Sequence, residues 1–304
     1  DLAVGLSVTT PFGSSVTWPE DWQNKANITN IELKAFNIQP TVAYRFNEWF
    51  SIGLGFIYTH GSATLEKVQT VAGNDINLKL KDKDAHGLGF NIGAMFKPTD
   101  KLGVGIAYRS NVDASANKGD VTWSNVPEGI KHNVPFNTDK WKTVLPLPSE
   151  FTFGLSYKVL PQLEVFGDLV WQNWTRYNSL DITLYNDASN TFYTSSSEKN
   201  WKDNTLIRFG AEYTFNDLIV GRVGYYHDQS PVPGAYWSSE TPSSNLNSFS
   251  AGVGFRLQSG FNVDLFGSYV QGEERTVNNI EQNFQGDVKM RAINFGVGVS
   301  YNLK

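Results

Sequence analysis

The sequence repeats one unit: an alternating run of apolar and polar side chains, a short turn, and a second alternating run. A clear copy lies within Trp201–Pro233, with its turn at Asn216-Asp217. Successive side chains of a β-strand point to opposite faces. The two faces of the first run are Ile207, Phe209, Ala211 and Tyr213 on one side and Arg208, Gly210 and Glu212 on the other. Each run therefore predicts a strand with one apolar side.

About twelve such runs follow one another, each near the length that a tilted strand needs to cross a bilayer. Short turns are predicted at 47–48, 98–100, 160–161, 216–217 and 259–260. Long polar segments are predicted at 61–84, 118–140, 175–200, 230–247 and 272–285, and residues 141–158 are interpreted as one strand. Because short and long connections alternate, all the long segments meet at one end of the sheet.

This sorting of loop lengths is typical of outer-membrane barrels, whereas a soluble β-sandwich gives no reason for it. We therefore predict an all-β fold, a transmembrane antiparallel up-and-down β-barrel that occupies residues 1–304 as a single domain. Backbone groups in lipid must be hydrogen bonded, so the sheet must close on itself. The slightly negative mean hydropathy is compatible with a barrel, because each strand shows lipid only every second side chain.

Signals for catalysis and for nucleic-acid binding are weak. The formal net charge of −5 offers no basic stripe to a nucleic acid. The chain has no cysteine, and its histidines at 60, 86, 132 and 227 lack the spacing of a metal site. No Ser-His-Asp order or supported pair of carboxylates occurs. We predict a protein that is not an enzyme and that needs no metal or cofactor.

Charged side chains recur on the face opposite the apolar one, which faces the lumen of the predicted barrel. They are Arg109, Glu164, Asp168, Arg208, Glu212, Arg222, Arg256 and Asp264. Balanced charges can pair across the lumen and hold the barrel rigid. The same residues can instead line a polar pore, and the sequence leaves both interpretations open.

Three stretches resemble the FadL/TodX-type family of outer-membrane transporters for long-chain fatty acids and other hydrophobic compounds. They are Leu145–Tyr177, Trp201–Pro233 with its SPVP, and Phe249–Gly272. The resemblance implies a barrel of fourteen strands, plugged by an N-terminal hatch that carries an Asn-Pro-Ala motif. Neither that motif nor the first two strands occurs here, so we expect this chain to be the C-terminal part of the mature protein.

The resemblance also implies site residues. A lateral exit into the membrane corresponds to Pro11, Phe12 and Gly13, although Pro11 can equally just end a strand. Basic side chains that meet a ligand carboxylate correspond to Lys67 and, less closely, to Lys199. Apolar loop residues that form an entry groove or a packed lid are Leu65, Val68, Val71, Phe192, Tyr193, Val232, Tyr236 and Trp237.

Three functions remain open from the sequence. The first is passive uptake of hydrophobic compounds, above all long-chain fatty acids, with external capture, a lumenal site and lateral exit. The second is a general porin for small polar solutes, and the third is a structural or adhesin-like barrel. For the first, the expected partners are a hydrophobic small molecule, outer-membrane lipid and lipopolysaccharide, and the expected state is a monomer.

Overall fold

The computed structural model describes residues 1–19, 21–257 and 260–301. Ser259, half of one predicted turn, lies outside them. The described residues form eighteen strands: β1 (Leu2–Thr17), β2 (Asn30–Asn47), β3 (Phe50–Val71), β4 (Asn74–Thr99), β5 (Leu102–Arg109), β6 (Val112–Ser124), β7 (Lys140–Leu147), β8 (Glu150–Leu160), β9 (Leu163–Gln172), β10 (Ser179–Asn186), β11 (Thr191–Glu198), β12 (Asn204–Thr214), β13 (Ile219–Asp228), β14 (Leu246–Arg256), β15 (Phe261–Gly272), β16 (Arg275–Asn279), β17 (Phe284–Val288) and β18 (Arg291–Tyr301). Two single turns of 3-10 helix lie at Trp174–Arg176 and Gly234–Tyr236.

Twelve of these strands make one antiparallel wall in which sequence neighbours are also spatial neighbours. Its order is β1, β2, β3, β4, β5, β8, β9, β12, β13, β14, β15 and β18. Among the described residues β1 pairs only with β2, and β18 pairs only with β15. The predicted twelve-strand, up-and-down arrangement is confirmed, with β1 and β18 as its two edges.

Five short connections lie at one end of the wall, which we call the turn end. They join β2 to β3, β4 to β5, β8 to β9, β12 to β13 and β14 to β15. The side-chain carbonyl of Asn216 caps one of them by accepting hydrogen bonds from the backbone amides of Leu218 and Ile219 at 2.9 and 2.8 Å. All the longer connections lie at the opposite, long-loop end, as the sequence predicts.

The segments predicted to be long polar loops are largely strands, which corrects that interpretation. β3 and β4 continue through residues 61–84 as one hairpin that turns at Ala72 and Gly73, both with positive φ. β6, β7, β10 and β11 extend the upper part of β4 into a side sheet. β16 and β17 form a separate hairpin. These strands carry many Ser, Thr, Asn and charged side chains, so they resemble polar loops in the sequence, although Ile76, Leu78 and Leu80 of β4 do alternate with polar neighbours and are buried.

Residues 141–158 do not form one strand. β7 ends at Leu147 and joins the side sheet, whereas β8 starts at Glu150 and joins the wall. Pro148 lies in the break itself, and Pro146 is the next-to-last residue of β7. Proline has no backbone donor for a sheet ladder, so a strand is easily divided there. The sequence prediction merged two strands that serve different parts of the molecule.

The apolar face of the wall points outward. Its exposed side chains are spread over the whole wall and include Val42, Leu54, Phe90, Ile106, Phe153, Leu169, Phe209, Val223, Phe249, Leu265 and Phe295. Large apolar side chains exposed over such an area need a nonaqueous neighbour. In the described part of the chain, no helix is both long and apolar enough to cross a bilayer.

A charge on this face should destabilise the protein in a bilayer. Leu265→Arg places a cation near the middle of β15, facing lipid, and should cost about 2–4 kcal/mol, the cost found at the midplane of barrel proteins. Ser268→Arg puts the same charge on the opposite face of the same strand. Reversible unfolding in lipid vesicles checks this: equal stability of the two variants would show that the outward face is assigned wrongly.

Candidate functional site

Side chains from opposite parts of the wall converge on one cavity below the long-loop end. The cavity has a volume of about 450 Å³ and receives side chains from well-separated strands of the wall, among them Leu33 of β2, Thr59 of β3, Gln172 of β9, Asn204 of β12 and Leu246 of β14. Strands so far apart in the sheet order can share a cavity only if the wall curves around it. Their faces are therefore the inside of the barrel.

Apolar side chains dominate the walls of the cavity. One side belongs to a buried cluster made of Leu78, Leu80, Ala116, Val121, Trp141 and Leu184, with Ala63, Leu65, Ala85 and Ile182 packed against it. The other belongs to a cluster made of Tyr177, Trp201, Val232, Trp237 and Val277, with Leu145, Trp174 and Leu180 packed against it. The side sheet thus supplies much of the apolar surface that the wall itself lacks on its inner face.

Loops cover the cavity. Glu240, Pro242 and Ser244, from the segment between β13 and β14, belong to its lining. The indole of Trp18, from the segment between β1 and β2, donates to the carbonyl of Ser239 at 3.0 Å. Trp18 also stacks on Trp22 with ring centroids 4.5 Å apart. The cover is therefore tied to the first strand of the wall.

A hairpin near the last strand completes the cover. Phe284 of β17 lies edge-on to Trp22 with centroids 6.2 Å apart, and it stacks on Trp237 at 5.6 Å. Segments next to the two edges of the wall, β1 and β18, therefore meet through aromatic side chains at the long-loop end.

A buried ion pair lies beside the cavity. Lys199 Nζ donates to Glu240 Oε2 at 2.7 Å, and the Lys199 side chain is 2% exposed. Glu240 belongs to the lining of the cavity, whereas Lys199 lies behind it. Burial lowers the pKa of the Lys67 ammonium, and the negative charge of Glu240 opposes that shift. Burial, together with Glu240, raises the pKa of the Tyr177 phenol above its usual range.

The predicted ligand-binding residues are only partly brought together. Leu65 lines the cavity, and Lys67 follows on the same face of β3. Val68 is half-buried, and its amide donates to the carbonyl of Lys25 at 3.0 Å. Lys199 reaches the cavity only through Glu240.

The remaining predicted groove residues do not line the cavity themselves. Trp237 is buried in the second cluster, and Tyr236 ends a turn of 3-10 helix beside it. Phe192 is 56% exposed on β11, where its ring lies 6.3 Å from that of Tyr185. The described structure therefore places Trp237 in a packed lid and leaves Phe192 on the outside of the side sheet.

Sequence reasoning missed several residues of this site, above all Glu240, Trp141, Tyr177 and Trp201. The two tryptophans and the tyrosine begin or follow polar segments, which offers a weak signal for inward packing. Glu240 lies among serine, threonine and proline in a segment without periodicity. Nothing in its local sequence distinguishes it from a solvated carboxylate.

The predicted interruption at Pro11, Phe12 and Gly13 is a bulge within a continuous strand. β1 runs on to Thr17, but its register on β2 shifts between Thr9 and Phe12. Phe12 and Gly13 line the cavity, and the Phe12 ring lies edge-on to Trp174 with centroids 6.1 Å apart. The alternative that Pro11 ends the strand is wrong. The irregularity lies where the cavity meets an edge strand.

The predicted lumen charges form ion pairs farther toward the turn end. Arg222 of β13 donates to Glu212 of β12 at 2.7 Å and also pairs with Asp264 of β15. Glu212 pairs in addition with Arg256 of β14 at 3.3 Å. This network of four side chains therefore links four consecutive strands of the wall.

The other predicted charges are paired less extensively. Arg208 pairs with Asp168 at 2.6 Å, which links β12 to β9. Arg109 lies 3.8 Å from Glu150. Glu164 lies opposite Glu212 in the register of β9 and β12. In the ranges that the structure describes, no group of three His, Asp or Glu side chains is arranged to hold a metal ion.

Removing Arg222 distinguishes the two interpretations of these charges. Arg222→Met leaves Glu212 and Asp264 without a shared cation. We expect the free energy of unfolding to fall by about 1 kcal/mol, a small loss because these side chains are partly solvated. Arg45→Met, which removes an exposed pair with Asp1 near the turn end, is the control. Thermal unfolding in detergent and ion selectivity in planar bilayers are measured together. Unchanged stability with altered selectivity would favour a polar pore.

The sequence of this chain is similar to those of known outer-membrane proteins. A family model described as "Outer membrane protein transport protein (OMPP1/FadL/TodX)" matches residues 1–303. The chain is 26% identical over 322 residues to a long-chain fatty acid transport protein of Salmonella typhi, covering 98% of this chain and 72% of that protein. It is 22% identical over 302 residues to outer membrane protein P1 of Haemophilus influenzae, covering 90% of this chain and 63% of that protein.

Solved structures show the same fold. A FadL homologue of Pseudomonas aeruginosa superposes with a TM-score of 0.81 at 20% identity, covering 98% of this chain and 73% of that one. The toluene transporter TodX of Pseudomonas putida superposes with a TM-score of 0.71 at 17% identity, covering 99% and 78%. The predicted all-β transmembrane barrel is confirmed.

Proposed function

Because this chain belongs to the OMPP1/FadL/TodX family of outer membrane transport proteins, we propose that it takes up hydrophobic compounds, with long-chain fatty acids as the leading candidates. It is an outer-membrane transporter of this family and not an enzyme. A long-chain fatty acid is the compound named for the Salmonella relative, and toluene is the compound named for TodX. Both are molecules whose binding energy comes mainly from an apolar surface.

The observation that carries this proposal is the apolar cavity of about 450 Å³ beneath the loops. Burial of an acyl chain contributes about 0.8 kcal/mol per methylene. A cavity walled by Leu145, Trp141 and Trp201 can therefore hold such a chain without any chemical step. Capture occurs from the long-loop end, which faces the outside of the cell, as in other outer-membrane barrels.

We propose that the ligand leaves sideways at the bulge in β1. Phe12 and Gly13 border the cavity, and β1 is an edge strand among the described residues. A break in the backbone ladder is tolerated in a membrane only where protein or a cavity lines it. The bulge meets that condition on its inner side.

In this proposal, the chain is one part of a longer protein. Two strands that precede Asp1 lie between β1 and β18 and complete a barrel of fourteen, and a hatch precedes them. The wall then stands as a monomer among outer-membrane lipid and lipopolysaccharide, with its apolar face against the acyl chains. The two free edges of the sheet and the greater length of the relatives support this arrangement.

Filling the cavity should block uptake. Ala35→Trp places an indole into the cavity from β2. If the indole excludes three methylenes of an acyl chain from the cavity, the binding free energy weakens by about 2.4 kcal/mol, and the affinity falls about fiftyfold. Uptake of a radiolabelled long-chain fatty acid and of toluene is measured in cells that express the complete protein. The control is Ala43→Trp, which adds the same side chain on the same face of β2 but nearer the turn end. Normal uptake by Ala35→Trp would contradict the proposal, and sugar-driven swelling of liposomes would indicate a porin.

Restoring a regular ladder should slow lateral exit. The double variant Pro11→Val with Gly13→Val gives β1 a backbone N–H donor at the bulge. It also adds two β-branched side chains, which favour strand structure. A Cβ at Gly13 has the Leu33 carbonyl oxygen 3.4 Å away and nothing closer. We expect uptake to fall by more than ligand affinity does, because Gly13 also borders the cavity but only the exit step depends on the ladder. Gly5→Val, where an added Cβ meets nothing within 4 Å, is the matched control. Unaltered uptake by the double variant would argue against exit at this strand.

A further inference from the structure

We propose that a set of lysines on the outer surface of the long-loop end binds the phosphates of lipopolysaccharide, the phosphorylated glycolipid of the outer leaflet. The set, which we call the lysine face, comprises Lys79, Lys81 and Lys83 of β4, Lys118 of β6 and Lys140 of β7. It lies outside the barrel, so this inference does not depend on which compound the cavity holds.

The alternation of β4 turns its three lysines away from the interior of the barrel. Leu78 and Leu80 are buried in the first apolar cluster, whereas Lys79, Lys81 and Lys83 are exposed. Successive side chains of a strand point to opposite faces. The lysines therefore form one outward row, with neighbouring members about 7 Å apart.

This row lies directly beyond the apolar face that meets lipid. Nearer the turn end of β4, Phe90 and Leu88 are exposed on the outer surface. The register of β4 on β3 then shifts opposite Gly61–Ala63, and this bulge keeps Lys83 on the outer side. Asp84 shares the bulge and lies 3.7 Å from a histidine ring of β3. The lysines thus lie where headgroups replace acyl chains, at the end that faces the outside of the cell.

Two lysines of the face have carboxylate partners in the protein. Lys140 Nζ lies 2.6 Å from Asp120, and Lys79 Nζ lies 2.8 Å from Glu66. All four side chains are partly solvated. Ion pairs between solvated side chains are weak, so both ammonium groups remain available to a second anion.

The other three lysines lack such partners. Among the described residues, the salt bridges do not include Lys81, Lys83 or Lys118. The register of β4 on β6 places Lys81 opposite Asp120, and two residues farther along each strand it brings Lys118 across from Lys83. Like charges directly opposite each other destabilise a sheet. An anion bound between these two lysines would remove the repulsion.

One carboxylate is surrounded by three of these cations. The hydrogen bond from Lys140 lowers the pKa of the Asp120 carboxyl, and the positive charges of Lys140, Lys83 and Lys81 lower it further. The lysine face therefore has an excess of positive charge, although the whole chain has a formal net charge of −5. Such an excess attracts an anionic partner to this surface.

The neighbouring polar groups suit a phosphate. Thr64 of β3 lies opposite Lys81, and Thr122 of β6 lies opposite Lys79. A lysine ammonium holds a phosphate as a point charge, and hydroxyl groups can donate hydrogen bonds to the remaining phosphate oxygens. Each lysine near an anionic lipid surface strengthens binding by about fivefold.

The test measures binding of fluorescently labelled lipopolysaccharide to the complete protein in detergent, before and after removal of the phosphates from the lipid. We expect the phosphorylated form to bind at least about tenfold more tightly. Equal affinity for the two forms would overturn the inference. Displacement of the lipid by an equal concentration of inorganic phosphate would instead indicate a simple anion site, and equally tight binding of a short RNA would indicate a general polyanion surface. Either result would also overturn the assignment to the glycolipid.

Substitutions locate the binding surface. Lys81→Gln with Lys83→Gln should lower the affinity for the phosphorylated lipid by at least about tenfold and leave the affinity for the dephosphorylated lipid unchanged. Lys97→Gln with Lys101→Gln, which removes two exposed lysines at the turn end, is the matched control. Thermal unfolding in the same detergent shows that both double variants are folded. An equal loss of affinity in the two double variants would mean that net charge alone is responsible, and the lysine face would be ruled out as the binding surface.

Discussion

The peptide group has no water to bind within a hydrocarbon layer, and this one constraint explains most of the structure. Every amide and carbonyl in the membrane must find a partner on a neighbouring strand. The wall meets that demand through eleven successive antiparallel ladders between β1 and β18. Side chains are then free to divide by face, with apolar groups toward lipid and polar groups inward.

The inner face has two levels with different properties. Toward the turn end, Arg222, Glu212 and their partners connect adjacent strands through charges. Toward the long-loop end, apolar clusters from the side sheet and loops take over. The apolar cavity therefore lies nearer the long-loop end than the charged network does. The lateral route that we propose at β1 rests on this order.

The sequence predicted the wall well because each wall strand obeys the rule of alternation. Phe209 and Phe295 face outward, as the pattern of their neighbours requires, and the tight turn at Asn216 lies where it was expected. Strand pairing in the side sheet was not predictable in this way. Within residues 61–84 alternation is limited to the short run Ile76, Leu78 and Leu80, whose side chains are buried, and the many charged neighbours made the segment resemble a polar loop.

The candidate site was predictable only in part, for a physical reason. Leu65 and Phe12 belong to strands whose faces alternation assigns, and both border the cavity. Glu240 belongs to an irregular loop, and its importance arises from a contact with Lys199 across a separation of 41 residues. Only the folded chain brings these two side chains together. A local pattern contains no information about such a pair.

The aromatic contacts among Trp18, Trp22 and Phe284 have a consequence for assembly. They join a segment that follows the first strand of the wall to a segment that precedes the last one. Bringing the two ends of a long chain together costs conformational entropy that grows with the length between them. Once these loops have docked, the long-loop ends of β1 and β18 are held near each other, which lowers the entropic cost of the closure that remains.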